Sequence, residues 1–228
     1  MQIIADIKHI FFPNICLSCD TVLINEEKTI CSYCIHELPF TNYTLTNSLA
    51  ISRLFYGRVS LEKATALLFF KKKGKVQHLI HNLKYKNNQE IGTFLGEWIG
   101  NEMKESGNYT NIDFIIPVPL HKKRFKSRGY NQLTKFGIAI SNILNTTYNT
   151  DILLKKSFNK TQTKKGRLDR LRNIDELFYL KNKELFENKH ILLLDDIITT
   201  GATIEACSLE LLKIKNIKIS LAVMAITV

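Results

Sequence analysis

Apolar residues along this chain follow two alternating patterns. Continuous apolar runs at 112–120, 190–196 and 217–228 have the length and composition of buried parallel strands. Between them, apolar residues recur every three or four positions, which is the spacing of amphipathic helices. Strands that alternate with helices predict an α/β fold with a parallel sheet, whose ligands lie beyond the carboxyl ends of the strands. The helical pattern covers residues 76–86, 88–105, 133–144 and 202–214.

Two regions between these elements are predicted from composition. Residues 51–70 are rich in β-branched and aromatic side chains around Gly57, which indicates a pair of strands. Residues 121–132 are polar and basic, and we expect a loop there. Cys207 lies in the apolar pattern of the last helix and is predicted to be a buried core residue.

Positive charge is concentrated in the middle of the sequence. The chain of 228 residues has a formal net charge of +11, and residues 111–180 hold fourteen basic and five acidic side chains. This asymmetry favours an anionic partner, either a phosphorylated metabolite or a nucleic acid. The composition, with 45% hydrophobic and 23% charged residues, is that of a globular protein and argues against disorder.

The sequence contains no apolar run long enough to cross a membrane. The first sixteen residues are apolar but are interrupted by Asp6, Lys8 and His9, so they do not resemble a signal peptide. We therefore expect a cytoplasmic protein, in which thiols stay reduced.

Four of the five cysteines form two closely spaced pairs near the start of the chain. Cys16 and Cys19 make one Cys-x-x-Cys pair, and Cys31 and Cys34 make the other. Two such turns supply the four thiolates of a tetrahedral structural zinc site, which we favour over two disulfides. The segment between them suggests a short hairpin. We predict a zinc-ribbon-like module over residues 1–45, followed by one α/β domain over residues 46–228.

The run ILLLDDIITTGAT at residues 191–203 carries the most specific chemistry. It predicts a buried strand that ends in Asp195 and Asp196, a turn, and the start of a helix. Backbone N–H groups at such a turn bind phosphate, Thr hydroxyls add donors, and the carboxylates suit sugar hydroxyls or a divalent cation. Helix capping by the Asp pair is the simpler interpretation, but it leaves the Thr-rich turn unexplained. The predicted phosphate-binding residues are Thr199, Thr200, Gly201, Ala202 and Thr203.

This run is similar to the phosphoribosyl pyrophosphate motif of type I phosphoribosyltransferases. The chain resembles the ComF/GntX family over essentially its whole length. The resemblance rests on this run, on the cysteine pairs, and on PVPLHKKRFKSRGYNQ at 117–132 and TQTKKGRLDRLRNIDELF at 161–178. That family joins a zinc module to a phosphoribosyltransferase-like domain. The resemblance implies a type I phosphoribosyltransferase fold, with zinc in the module and Mg²⁺ beside the sugar phosphate.

The resemblance also implies residue roles. Asp195 and Asp196 would contact the ribose hydroxyls, and Arg124 and Arg128 would act with them in catalysis by clamping phosphate oxygens. The remaining residues would form a pyrophosphate loop and a basic hood over the site. They are Pro117, Val118, Pro119, Asn131, Gln132, Thr161, Gln162, Arg172 and Asn173.

Three functions remain open at this stage. The chain is predicted to be a phosphoribosyltransferase whose acceptor the sequence does not identify. The family that the chain resembles includes a protein needed for natural transformation. The alternative prediction is therefore a protein of the same fold that binds single-stranded DNA. A non-catalytic sensor of phosphoribosyl pyrophosphate is the third possibility.

Overall fold

The computed structural model describes residues 13–24, 26–156 and 177–227. Within these residues it contains a five-stranded parallel sheet with the strand order β1-β7-β6-β2-β3, and a separate antiparallel pair, β4-β5. The strands are β1 Ala64–Phe70, β2 Phe114–Pro117, β3 Thr147–Tyr148, β4 Leu153–Lys155, β5 Phe178–Leu180, β6 His190–Ile198 and β7 Lys218–Thr227. The helices are α1 Ser32–His36, α2 Ala50–Arg53, α3 Lys75–Tyr85, α4 Glu90–Ser106, α5 Lys122–Arg128, α6 Thr134–Leu144 and α7 Ala202–Leu211, with a 3₁₀ turn at Lys183–Phe186. The predicted parallel α/β fold is confirmed.

Strand β6 lies at the centre of the sheet, between β7 and β2. Residues 191–194 are completely buried, which explains why all four positions between His190 and Asp195 are apolar. The strand does not end at Asp196, as the sequence suggested, but continues to Ile198 because Ile197 and Ile198 still pair with β7. Both carboxylates therefore belong to the strand itself.

Two predicted elements differ from the structure. Residues 51–70 do not form a pair of strands, since their first part is helix α2 followed by turns through Gly57, and only β1 is extended. The basic stretch at 121–132 is not entirely a loop, because it contains helix α5, capped by the His121 ring nitrogen, which accepts from the Lys123 N–H at 3.1 Å. Cys207 is completely buried, as predicted.

The cysteine segment is joined to the sheet through residues 39–44. Phe40 forms an antiparallel bridge with Leu68, and its ring stacks on Trp98 at 4.4 Å between centroids. These contacts cover the outer edge of β1, which would otherwise expose unpaired backbone groups. The predicted hairpin between the two cysteine pairs is not seen in the described part of that segment. An antiparallel bridge from Ile15 to Val22 instead spans the first pair.

Glycines at 92, 96 and 100 let helix α4 lie close against helix α6. A Cβ atom at Gly96 would be 2.5 Å from the Phe136 carbonyl oxygen and 2.8 Å from the Ala139 Cβ. The four-residue spacing puts the three glycines on one helix face. Helix α6 in turn packs on β2, so this contact holds the helical layer against the strand that leads into the site.

Candidate functional site

A cleft of about 500 Å³ opens at the carboxyl ends of β2 and β6. The two strands are in register with Pro117 opposite Leu194, and the Val118 N–H donates to the Leu194 carbonyl at 2.8 Å. This pairing places the chain after β2 directly beside Asp195 and Asp196. The cleft is lined by Lys84, Tyr85, Val118, Pro119, Leu120, His121, Arg124, Arg128, Gln132, Lys155, Asp195, Asp196, Ile197 and Thr203.

The two carboxylates have different surroundings because successive strand residues point to opposite faces of a sheet. Asp196 Oδ2 accepts from Gln132 Nε2 at 2.7 Å and lies 2.8 Å from Lys84 Nζ. Asp195 Oδ1 accepts from the backbone N–H of Asp196 at 2.8 Å. The Asp196 carboxylate is thus held by the side chains of Gln132 and Lys84, while the Asp195 carboxylate is held by the backbone N–H of the next residue.

Burial, and after it the neighbouring Asp196 charge, together raise the pKa of Asp195 from its ordinary value of 3.8 to about 7. Lys155 shows the complementary effect, since burial lowers the pKa of its ammonium group. The Asp195 carboxyl therefore changes its charge near neutral pH. A buried acid of this kind is typical of a functional site.

The turn after β6 has the form expected of a phosphate-binding loop. Gly201 directly precedes the first residue of α7 and has a φ of +75°. This is the left-handed backbone conformation, which glycine adopts more readily than residues with a side chain. The Thr200 hydroxyl accepts weakly from the Ala202 N–H at 3.4 Å. Thr199, Thr200 and Thr203 are exposed, and Thr203 lines the cleft.

The segment that contains α2 supports this turn, a role the sequence did not reveal. A Cβ at Gly201 would be 2.8 Å from the Phe55 ring, so Phe55 packs directly against the glycine. Arg58 forms an ion pair with Glu205 of α7 and donates to the Thr200 carbonyl at 3.4 Å. Gly201 is therefore required both by its conformation and by the space that Phe55 occupies.

The first basic motif contributes unequally to the cleft. Arg124 and Arg128 both line it, and Arg128 donates to the Gln132 side-chain oxygen. Gln132 thus connects Arg128 to Asp196. Asn131 lies in the turn before α6, where its Oδ1 accepts from the Leu133 N–H at 3.0 Å, and it does not line the cleft.

The other predicted site residues fall into two groups. Val118 and Pro119 line the cleft, whereas Pro117 is buried at the end of β2. The second basic motif, with Thr161, Gln162, Arg172 and Asn173, lies outside the residues that the structure describes.

Lys84, Tyr85, Lys155 and His121 line the cleft although the sequence did not predict them as site residues. Lys84 and Tyr85 are at the end of α3, in an ordinary amphipathic pattern that carries no motif. His121 adjoins the predicted pyrophosphate loop, which was the available signal for it. Lys155 is the last residue of β4, where a basic run begins. Its position in the cleft depends on the pairing of β4 with β5.

The four N-terminal cysteines converge as a metal site requires. Their sulfur atoms all lie within 4.8 Å of one another, and Cys19 Sγ is 3.8 Å from Cys31 Sγ. Zinc–thiolate bonds of about 2.3 Å in a tetrahedron put the sulfurs about 3.8 Å apart, so this cluster fits such an ion. Cys16 Sγ also accepts from the backbone N–H groups of Ser18 and Cys31 at 3.4 and 3.3 Å. The arrangement could hold a metal such as zinc.

Comparison with known proteins agrees with this architecture. A sequence model of the phosphoribosyl transferase domain matches residues 134–226. The DNA utilization protein YhgH of Escherichia coli K12 is 28% identical over 138 residues, 59% of this chain and 60% of that protein. Competence protein F of Haemophilus influenzae is 29% identical over 140 residues, 60% of this chain and 61% of that protein. The matched region thus spans about 60% of the length of these curated relatives, and the predicted resemblance is confirmed.

Two solved structures share part of this backbone at low sequence identity. The glutamine phosphoribosylpyrophosphate amidotransferase of Bacillus subtilis has a TM-score of 0.44 at 12% identity, over 63% of this chain and 30% of that one. A hypoxanthine phosphoribosyltransferase of Staphylococcus aureus has a TM-score of 0.36 at 16% identity, over 60% and 62% of the two chains.

In the part of the chain that the structure describes, no helix is both long and apolar enough to span a bilayer.

The raised pKa of Asp195 predicts a pH-dependent stability change on substitution by Asn. Asn keeps the acceptor for the Asp196 N–H but does not ionise. Because the folded-state pKa is raised, the contribution of Asp195 to stability is complete below pH 4 and is lost as the pH rises through 7. At one pKa unit per 1.4 kcal/mol, Asp195→Asn should raise the free energy of unfolding at pH 8 by roughly 2–4 kcal/mol, and by much less at pH 4.5.

Urea unfolding of wild type and variant at both pH values measures this difference. Asp151→Asn, at an exposed position outside the cleft, is the control and should change stability little. A gain from Asp195→Asn that is equal at the two pH values would contradict the prediction.

Proposed function

We propose that this protein, a ComF-family chain with a phosphoribosyl transferase domain, binds phosphoribosyl pyrophosphate with Mg²⁺ in the cleft at the end of β6. The observation that carries the proposal is the joint placement of the Asp195–Asp196 pair and the Thr199–Thr203 turn at one edge of the sheet. Asp195 and Asp196 would accept from the ribose hydroxyls. The turn at the start of α7 would hold the 5′-phosphate through backbone N–H groups and Thr hydroxyls.

Basic side chains around the cleft would hold the pyrophosphate. Arg124 and Arg128 project from α5, and Lys84 and Lys155 approach from other elements. Val118 and Pro119 form the adjoining wall, where a pyrophosphate loop was expected. Carboxylate and phosphate oxygens together are the ligands that Mg²⁺ prefers, and the ion would supply charge neutralisation of the leaving group.

As a transferase, the protein would break the bond from ribose C1 to the pyrophosphate oxygen and form one to an acceptor. Its residues would act by positioning the donor, neutralising the leaving group and excluding water. The proposal leaves the acceptor open. The same site without transfer would serve as a sensor of the sugar phosphate, with tight binding and no release of pyrophosphate.

The proposed contacts of the two carboxylates with the ribose hydroxyls can be tested by comparing two ligands. In the Asp195→Asn/Asp196→Asn variant, the affinity for phosphoribosyl pyrophosphate with Mg²⁺ should fall at least about tenfold, since two hydrogen bonds from sugar hydroxyls to charged acceptors weaken. Inorganic pyrophosphate has no sugar, and its affinity should stay unchanged or rise because two negative charges are removed. Calorimetric titration of both ligands into wild type and variant measures this.

An equal loss of both ligands would mean that the Asp pair acts through the metal or the fold and not through the ribose. No binding of either ligand to the wild-type protein would reject the proposed sugar-phosphate site. Asp151→Asn again serves as the control for a lost exposed charge.

A second candidate function is binding of single-stranded DNA, consistent with the names of the relatives. The observation that favours it is a basic surface with exposed aromatic rings beside the cleft. Helix α5 carries five basic side chains, Phe125 on it is 50% exposed, and Tyr85 of α3 is 70% exposed. Phosphate attraction combined with stacking is the usual basis of single-strand binding.

Under this second function, the affinity for a single-stranded oligonucleotide should fall steeply with salt. Lys123→Ala/Lys126→Ala should reduce the slope of log Kd against log salt by roughly 1.4, at about 0.7 for each lost phosphate contact. The control is Lys213→Ala/Lys215→Ala, which removes the same charge near the opposite edge of the sheet, where β7 begins. Fluorescence anisotropy between about 50 and 200 mM salt measures both slopes. Equal slopes for the two variants would reject α5 as the binding surface.

We also propose that the four-cysteine cluster holds one structural zinc ion. All four sulfurs would be ligands, which leaves no position for a substrate and no catalytic role for the metal. The ion would provide much of the folding free energy of this small segment, in which Leu23, Ile30 and Leu38 are the buried apolar side chains of the described residues besides the cysteines.

Metal analysis should therefore find one zinc per chain. Cys16→Ser/Cys31→Ser should lose it, whereas Cys207→Ser, at the buried fifth cysteine, should keep it. After chelation, hydrogen exchange should lose amide protection around the cysteine turns while β6 and β7 remain protected. Full protection of the cysteine segment in metal-free protein would refute a structural ion.

A further inference from the structure

Helix α3 contacts both the four-cysteine cluster and the cleft. We propose that α3 couples the two sites, because the first cysteine turn holds the helix in the position that places Lys84 against Asp196. Lys84 is then a positioning residue of the cleft, and its placement depends on a correctly formed cluster. The effect on ligand affinity rests on the proposed function, but the coupling itself does not.

One face of α3 is bound to the cysteine turns. Asn82, which is 2% exposed, donates to the Leu17 carbonyl at 2.9 Å, and the His78 Nδ1 lies 2.8 Å from the Ser18 carbonyl. Leu17 and Ser18 are the two residues between Cys16 and Cys19. One turn earlier, Lys75 Nζ lies 3.3 Å from Cys34 Sγ. Residues 75, 78 and 82 share one helix face, so the cluster is attached along most of the helix.

The end of the same helix enters the cleft. Lys84 Nζ lies 2.8 Å from Asp196 Oδ2, and the two side chains are 20% and 12% exposed. The Leu83 carbonyl accepts from the Tyr130 hydroxyl, and the Arg128 guanidinium lies 5.6 Å from the centre of the Tyr85 ring. Lys84 is two residues from Asn82. An eleven-residue helix moves as a rigid body about 16 Å long, so a displacement at Asn82 also displaces Lys84.

The energetic link is the buried amide of Asn82. If the first cysteine turn unfolds, Asn82 loses its carbonyl partner while it is buried, at a cost of about 1–3 kcal/mol. A shift of the helix that exposes the amide to water reduces this cost. The same shift draws Lys84 away from Asp196, which leaves an uncompensated carboxylate in a cleft that receives anions.

Lys84 also lies where two cavities meet. Besides the main cleft it lines a smaller pocket of about 220 Å³, together with Tyr85, Arg124 and Arg128. Its ammonium group is therefore available both to Asp196 and to an anionic group of a ligand. Displacement of Lys84 should weaken the binding of phosphoribosyl pyrophosphate by roughly 10- to 100-fold, the effect of losing a hydrogen bond between charged groups.

The test is covalent labelling of lysines by an acetylating reagent, read by mass spectrometry on the full-length, metal-loaded protein. Asn82→Leu removes the hydrogen bond to Leu17 and introduces an apolar, helix-forming side chain of similar size. The Asn82→Leu substitution should raise the labelling rate of Lys84 several-fold. Lys86, which is exposed and lines neither cavity, is the internal control and should be unchanged.

Unchanged labelling of Lys84 in Asn82→Leu would overturn the coupling, and so would an equal rise at Lys84 and Lys86, which indicates general loosening. If Asn82→Leu fails to fold, His78→Leu tests the neighbouring contact by the same readout. This experiment uses no sugar phosphate, so it stands even if the proposed ligand does not bind.

The consequence for the ligand is measured separately by titration of phosphoribosyl pyrophosphate with Mg²⁺. Lys84→Met and Asn82→Leu should both weaken binding, Lys84→Arg should retain most of it, and Lys86→Met should have no effect. Weak binding by Lys84→Met but not by Asn82→Leu would overturn the dependence on the cluster. Absence of binding by the wild-type protein would reject the proposed ligand, and the labelling result would then decide the coupling.

Discussion

The parallel pairing of β6 with β2 and β7 is the constraint on which the site depends. Completely buried side chains over 191–194 fix β6 at the centre of the sheet, and a shift of register by one residue would move all of them to the opposite faces. The strand therefore has to deliver Asp195 and Asp196 to the carboxyl edge, one on each side. The same pairing brings Val118 beside them. Local sequence chemistry at the end of one strand thus becomes a cleft formed by several elements.

The charge arrangement in the cleft follows from this burial. Two adjacent carboxylates in a partly dry position destabilise the ionised protein, and the raised pKa of Asp195 reflects that cost. Lys84 offsets the charge of Asp196 directly, while Lys155 lines the same cleft as Asp195, where burial lowers the pKa of its ammonium group. Under the proposed function, hydroxyl donors of the ligand would offset this cost at the carboxylates, and the basic side chains of the cleft would bind its phosphate groups.

Sequence reasoning predicted the parts of the site that are contiguous in the chain. The apolar run before Asp195, the Thr-Gly turn and the paired cysteines each have a local physical meaning, so their elements were recognisable. Lys84 and Arg58 were not recognisable, because their roles arise from contacts with Asp196 and Glu205, more than a hundred residues away. The strand predicted before Gly57 was wrong for a related reason. Its apolar residues serve to pack Phe55 beneath Gly201, and they do not form a strand edge.

The position of α3 gives a physical reason for the four-cysteine segment and the α/β domain to share one chain. The first cysteine turn is held from outside, because the side chains of His78 and Asn82 bond the Ser18 and Leu17 carbonyls. Helix α3 depends on the segment in return, since Asn82 would otherwise lose its 2.9 Å hydrogen bond to the Leu17 carbonyl while it is buried. A helix stabilised from both sides in this way has one favoured position, and that position places Lys84 against Asp196. The order of the cleft is therefore a property of the whole chain and not of the phosphoribosyl transferase domain by itself.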